Sequence, residues 1–274
     1  MPNHVQFLFA EPSYVGMHVF GVLMPLYWFT KRRQVAILTL SYAFGAAAMG
    51  VGVRILIDTV VALLLWLVVA VNFHRLRNIV ITIAGLGVIG IGGSAVMLRN
   101  PRVESLLTNS PVNGDFSALA RLFRALAPAE AWKTDWAHFL FGFGIGNLKD
   151  AIARGYGAAV QALTAMGGKP QSNEEIRLLS NPPGDHYIFT MSAYVDAISE
   201  FGILMCLVGA VLLFMHITRN GAWNKMTVCW VVLLAYLYIQ FEGYAFYALW
   251  LFIWVVGTRV YGQKRDSGKQ LSAS

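Results

Sequence analysis

Long stretches almost free of charge dominate this sequence, and what interrupts them is mostly Lys and Arg. The apolar runs lie at about 12–30, 35–53, 55–73, 78–98, 201–218, 226–241 and 244–261. Each approaches the roughly 20 residues that an α-helix needs to cross a hydrocarbon core. Backbone groups inside lipid must find partners within the protein, which leaves helices or a closed barrel. The runs lack a two-residue alternation, so they predict helices. At 57% hydrophobic residues and a mean hydropathy of +0.57, the chain is too apolar for a soluble domain of 274 residues. The expected fold is an all-α integral membrane protein of about seven transmembrane helices with a large, partly helical external loop.

The basic residues set the orientation. Lys31, Arg32 and Arg33 close the first run, and Arg75 and Arg77 the third. Arg219 and Lys225 separate the fifth from the sixth, while Arg259, Lys264, Arg265 and Lys269 follow the last. These alternate connections hold eleven of the 21 basic residues and one acid, Asp266. By the positive-inside rule they are cytoplasmic. The segment 99–187 then faces the periplasm, with the chain threaded repeatedly through a bacterial inner membrane. Its nine basic residues nearly balance eight acidic ones, so the net charge of +7 belongs mainly to the cytoplasmic rim. That charge describes topology. No basic patch with interleaved aromatics calls for a nucleic-acid partner.

Four segments follow: 1–98, a block of about four membrane helices; 99–187, the loop; 188–262, a second membrane block; and 263–274, a cytoplasmic tail. The N-terminus has no basic leader, and Glu11-Pro12 interrupts its apolar run, so no cleavable signal is expected. Cys206 and Cys229 fall within apolar runs as packing residues, and the loop has no cysteine for a disulfide. A connection as long as 99–187 is usually functional. Asp115 can cap a helix running to about Ala127, closed from behind by Pro128. Further helices are expected over 130–140 and 147–166, with chain breaks at Gly167-Gly168-Lys169-Pro170 and Asn181-Pro182-Pro183-Gly184. Phe116, Leu119, Phe123 and Leu126 share one stripe, with Arg121 and Arg124 opposite. A loop built this way is expected to fold over the membrane surface as a lid.

Arg121 and Arg124, at i and i+3, can converge on one anion. A diphosphate suits such planar, permanently charged donors, although a solvated basic face near lipid head groups is the plainer alternative. Arg54 stands in the tight external connection before the third helix, where a diphosphate contact competes with a pair to Asp58. His186, beside Asp185 and after the Pro-Pro-Gly break, is the candidate general base, because histidine titrates near neutrality. A bland interfacial histidine is the alternative. His4, His18, His74, His138 and His216 are weaker candidates. Asp196 and Glu200, at i and i+4, form a polar stripe with Ser192 ahead of the run 201–218. Acids at membrane depth are costly and face a cavity or a partner. Glu200 is the second candidate base; pairing with loop arginines is the alternative for both acids. Glu11, before Pro12, supports the site or simply caps a helix. The series Gly142-x-Gly144-x-Gly146 lacks the spacing and context of a dinucleotide site. No HExxH, CxxC or carboxylate cluster suggests a metal, and no cofactor is implied.

Three segments carry a family resemblance. Phe9-Ala10-Glu11-Pro12-Ser13-Tyr14-Val15-Gly16 opens the first run, and Ser192-Ala193-Tyr194-Val195-Asp196-Ala197-Ile198-Ser199-Glu200-Phe201-Gly202-Ile203 enters the fifth. Between them stand Arg121, Arg124 and Phe141-Gly142-Phe143-Gly144-Ile145-Gly146-Asn147. Together these resemble the Glu-Pro-Ser segment, the loop arginine with its glycine turn, and the "asparagine-x-tyrosine … glutamate-x-glycine-isoleucine" segment of O-antigen polymerases and ligases. The resemblance covers most of this chain and the later half of a usual member. It implies a metal-independent membrane enzyme acting on glycans carried by polyprenyl diphosphate at the periplasmic face. A hydroxyl of one lipid-linked repeat would attack the anomeric carbon of a chain on another carrier. The loop arginine would contact the diphosphate. Family ligases carry a catalytic histidine near the second segment; aligned on Tyr194, Glu200 and Gly202, Met191 occupies that position here, with His186 further upstream. A polymerase of O-antigen or exopolysaccharide is the leading expectation. An O-antigen ligase shares its chemistry, and a truncated or non-catalytic membrane subunit of a polysaccharide assembly system is the contrasting class. Expected partners are the lipid-linked oligosaccharide, membrane lipid and other assembly proteins. A secondary transporter would show paired repeats and mid-bilayer charges, which this chain lacks.

Overall fold

The computed structural model describes residues 16–48, 53–71, 76–98, 108, 112, 116–180, 188–241 and 247–258. Among them every regular element is helical and no strand occurs, in line with the all-α expectation. A π-helical segment, Met17–Leu23, leads into α1 (Met24–Thr30), followed by α2 (Arg33–Ala48), α3 (Val53–Ala70) and α4 (Leu76–Leu98). The loop contributes α5 (Phe116–Thr134), α6 (Trp136–Phe141), α7 (Leu148–Ala165), a 3₁₀ turn Pro170–Ser172 and α8 (Glu174–Leu179). The chain then forms α9 (Ala193–Arg219), α10 (Lys225–Leu237) and α11 (Tyr247–Thr258). Helices thus lie in all seven apolar runs. One, α9, is both long and apolar enough to cross a membrane among the described residues. Its apolar side chains, including Leu204, Leu207, Val211 and Phe214, are exposed, as lipid-facing positions would be and soluble-core positions would not.

The chain divides into two compact units. The first comprises Met1–Met97, Ala210–Leu237 and Tyr244–Ser274. Here Lys31, in a left-handed conformation (φ 54°), ends α1 and donates its N–H to the Tyr27 carbonyl at 2.9 Å. Trp230 is buried edge-on to Phe252, with centroids 5.0 Å apart, and donates its indole N–H to the Gly21 carbonyl at 3.0 Å. A polar handle with a partner is what a buried tryptophan requires. Asp58 is buried on α3 and accepts the Tyr236 hydroxyl at 2.8 Å.

The second unit comprises Leu98–Gly209 and Tyr238–Gly243. Its core joins Leu119, Phe123 and Ala127 of α5 to Leu148, Ile152, Ala159 and Leu163 of α7, closed by Ile176 and Leu179 of α8. The three- and four-residue spacings are those of facing helical stripes. Each large side chain buried there contributes about 1.5–3 kcal/mol. Gly155 lets the backbones approach, since a Cβ on it would collide with the Ala127 carbonyl. Asn173 caps α8 by accepting the Glu175 N–H at 3.0 Å and donates to the Phe116 carbonyl at 2.7 Å.

Pro128 does not end α5, contrary to expectation; the helix continues through it to Thr134, and α6 begins only at Trp136. A helix-interior proline costs roughly 3 kcal/mol. Burial of Ala127, Pro128 and Ala131 on the packed face of α5 offsets that cost. The expected stripe also shifts: Leu119 and Phe123 are buried, but Phe116 is exposed and Ala120 takes a place in the core. The expected Asp115 cap lies outside the described residues.

Candidate functional site

The second unit is built around a break in α9. Gly202 adopts φ 78° and ψ 161°, so the helix from Ala193 stops there and restarts toward Arg219. Such a stop orphans the last carbonyls of the first half. The glycine turn between α6 and α7 supplies their donors. Phe143 N–H donates to the Ser199 carbonyl at 2.7 Å, and Gly144 N–H to the Glu200 carbonyl at 3.0 Å. Two glycines make this approach possible. A Cβ on Gly142 (φ 81°) would lie 2.7 Å from Gly202 N and still closer to the Glu200 carbonyl. A Cβ on Gly202 would meet the Leu140 carbonyl and the Phe141 carbonyl carbon. The turn closes on itself through Asn147, whose side-chain amide donates to the Phe143 carbonyl at 3.0 Å.

Glu200 turns its carboxylate onto the same turn and accepts the Gly146 N–H at 3.2 Å. It precedes the break and therefore lies ahead of the apolar run. Burial pushes its carboxyl above the usual carboxylate range, and neighbouring Asp196 adds to this, while the Gly146 N–H pulls the other way. Raised folded pKa means that the fold favours the protonated acid. The stabilisation is full below the ordinary glutamate value and is lost as pH rises through the folded one. Glu200→Gln, which keeps an acceptor for Gly146 and discards the charge, is expected to raise the unfolding midpoint at neutral pH. That advantage should shrink toward mildly acidic pH. Thermal unfolding across a pH series tests this; an unchanged or lower midpoint at pH 7 would refute it.

Asp196 has a structural role. It is buried and accepts both the N–H of Thr190, at 3.0 Å, and its hydroxyl, at 2.5 Å. This ties the first turn of α9 to the chain before it, where Met191 takes a left-handed φ of 68°. Arg124 is half-buried. Its guanidinium donates to the Phe189 carbonyl at 3.2 Å, lies 5.0 Å from the centre of the Phe189 ring and reaches Glu175 at 3.7 Å. Arg121, one turn away, is exposed. The pair does not present two equivalent cations: one holds the fold together and the other faces solvent. Arg54 lies in α3, and its side chain is outside the described residues. His186, Asp185 and Glu11 lie outside them altogether.

A cluster centred on one of the weaker histidine candidates forms on the other flank of the turn. Asp135 caps α6 by accepting the His138 N–H at 3.1 Å, and its carboxylate also takes the His138 ring at Nδ1, 2.7 Å away. Arg154 of α7 pairs with the same carboxylate oxygen and stands 3.4 Å from His138 Nδ1. The imidazole stacks on Phe143 of the turn (centroids 4.2 Å apart, planes 18°), and the Arg154 guanidinium lies 5.5 Å from that ring. Asp followed three residues later by His before an apolar run carried half of this signal as a capping pattern. Arg154, nineteen residues beyond Asp135, carried none.

Among the described residues no group of three or more His, Cys, Asp or Glu is placed to hold a metal ion. A cavity of about 610 Å³ lies at the opposite end of α9, lined by His216, Arg219, Asn220 and Trp254. It adjoins the basic connection after α9, and its lining includes His216, one of the weaker histidine candidates. No protein-family model, curated protein or solved structure matches this chain.

Proposed function

We propose that the protein is a multi-pass membrane glycosyltransferase of the O-antigen polymerase type, with about seven crossings and 99–187 on the periplasmic face of a bacterial inner membrane. The observation that carries this is the contact between two segments of the resemblance. The glycine turn 142–147 and the Glu200-Phe201-Gly202-Ile203 segment, far apart in sequence, meet through backbone hydrogen bonds that need glycine at both partners. Glu200, the His138 imidazole and the Arg154 guanidinium border that junction. Such a set suits transfer from a diphosphate carrier: arginine neutralises the leaving diphosphate, the largest charge term in the reaction, and a base accepts the proton of the attacking hydroxyl. Substrate would be a glycan repeat on polyprenyl diphosphate, supplied within the membrane plane.

The test is transfer by purified protein in liposomes loaded with defined lipid-linked repeats. The expected result is a ladder of longer glycans with one polyprenyl diphosphate released per addition. A single transfer onto a lipid A core sugar, with no ladder, would make it a ligase. No carrier release with any acceptor would sink the enzymatic assignment and leave a non-catalytic membrane subunit. Topology is tested separately. Cysteines introduced at described exposed positions of 116–180 should react with an impermeant thiol reagent on intact spheroplasts, and reaction only after lysis would overturn the proposed face.

A further inference from the structure

We infer that His138, held by Asp135, is the general base of this site and takes the proton of the acceptor sugar hydroxyl; the inference rests on the transferase assignment above. The geometry is that of an oriented imidazole. Asp135 meets Nδ1 at 2.7 Å, and an ionised carboxylate only accepts, so Nδ1 carries the hydrogen and Nε2 carries the lone pair. Arg154 grips the same carboxylate, which fixes the acid that fixes the ring. Phe143 supports one face of the ring by stacking. Nε2 has no partner among the described residues, and 38% of the side chain is exposed, enough for a substrate hydroxyl to reach it. A base oriented by a third group is the recurring arrangement for activating a hydroxyl nucleophile. The ring also rests on the turn whose backbone grips the α9 break, so it is positioned by the element that joins the two resemblance segments.

The step balances without a co-reactant. The acceptor oxygen bonds to the anomeric carbon as Nε2 takes its proton. The bond from that carbon to the diphosphate oxygen breaks, and the electron pair leaves with the polyprenyl diphosphate. His138 then returns the proton to water. Asp135 and Arg154 are positioning residues.

The experiment uses full-length protein in liposomes with the same lipid-linked repeats. His138→Ala is expected to lower kcat by about 10²–10⁴-fold with KM and unfolding midpoint little changed. Added imidazole should restore a measurable part of that rate, and should restore none to Arg121→Ala. Asp135→Asn keeps an acceptor for the His138 N–H and therefore the helix cap, yet should still lower kcat, because an amide does not stabilise the imidazolium. Two results would overturn the assignment while leaving the transferase intact: a wild-type kcat in His138→Ala, or full recovery in His138→Asn, which keeps only a donor toward Asp135. A wild-type protein inactive with every acceptor would remove the transferase assignment, and the base with it.

Discussion

Gly202→Ala is expected to detach the glycine turn from α9 and to abolish glycan transfer. At φ 78° and ψ 161°, a backbone region essentially reserved for glycine, a residue with a Cβ carries an intrinsic penalty of roughly 1–3 kcal/mol. Here the methyl would also press into the Leu140 carbonyl and the Phe141 carbonyl carbon, which are backbone atoms with no rotamer to yield. Relief requires the turn to withdraw, and withdrawal breaks the bonds from Phe143 to Ser199 and from Gly144 to Glu200. The carbonyls of buried Ser199 and half-buried Glu200 would then lose their partners, at about 1–3 kcal/mol for the buried one. Gly142→Ala meets the same junction from the other side and should behave alike. Gly146→Ala is the control: its φ of 79° carries the intrinsic penalty, but nothing stands within 4 Å of the added methyl. Hydrogen exchange reads the difference directly. Phe143 and Gly144 amides should lose protection in the first two variants and keep most of it in the third. Protection retained in Gly202→Ala would mean that the junction is not what orders the turn.

The helices of the apolar runs were legible because a run's pattern extends over every residue in it, and a twenty-residue average survives local exceptions. Helices stand where the apolar runs predicted them, with ends adjusted by features such as the left-handed Lys31. Pro128 was misread because its local effect is strong and its tertiary offset, burial against α7, leaves no trace in a single window. The gap at Gly202 was visible only as a residue within a motif; that it breaks α9 depends on a turn sixty residues earlier. Candidate-site residues divide along the same line. Glu200 followed from its motif, whereas the use of Arg124 by Phe189 and Glu175, and of Asp135 by His138 and Arg154, depends on which surfaces of packed helices meet. Spacing alone places Arg121 and Arg124 on one face; only packing separates their duties.

That separation makes opposite predictions for two arginines a single turn apart. Arg121→Ala is expected to lower transfer by about 10²–10³-fold, the loss typical of one donor to a developing negative charge, with the unfolding midpoint unchanged. Arg121→Lys should recover only part of the rate, because a point charge lacks the fork that matches a diphosphate. Arg124→Ala should act on the fold first. It removes a charged bond to the Phe189 carbonyl and a cation–π contact, together about 1–3 kcal/mol. The Glu175 pair adds little, since Glu175 is more than half exposed. Proteolysis of the loop and thermal unfolding should therefore report Arg124→Ala, and transfer kinetics should report Arg121→Ala. If Arg121→Ala transfers at the wild-type rate with normal folding, its exposure marks a solvated surface charge. The diphosphate contact would then pass to Arg154, whose guanidinium already borders the glycine turn.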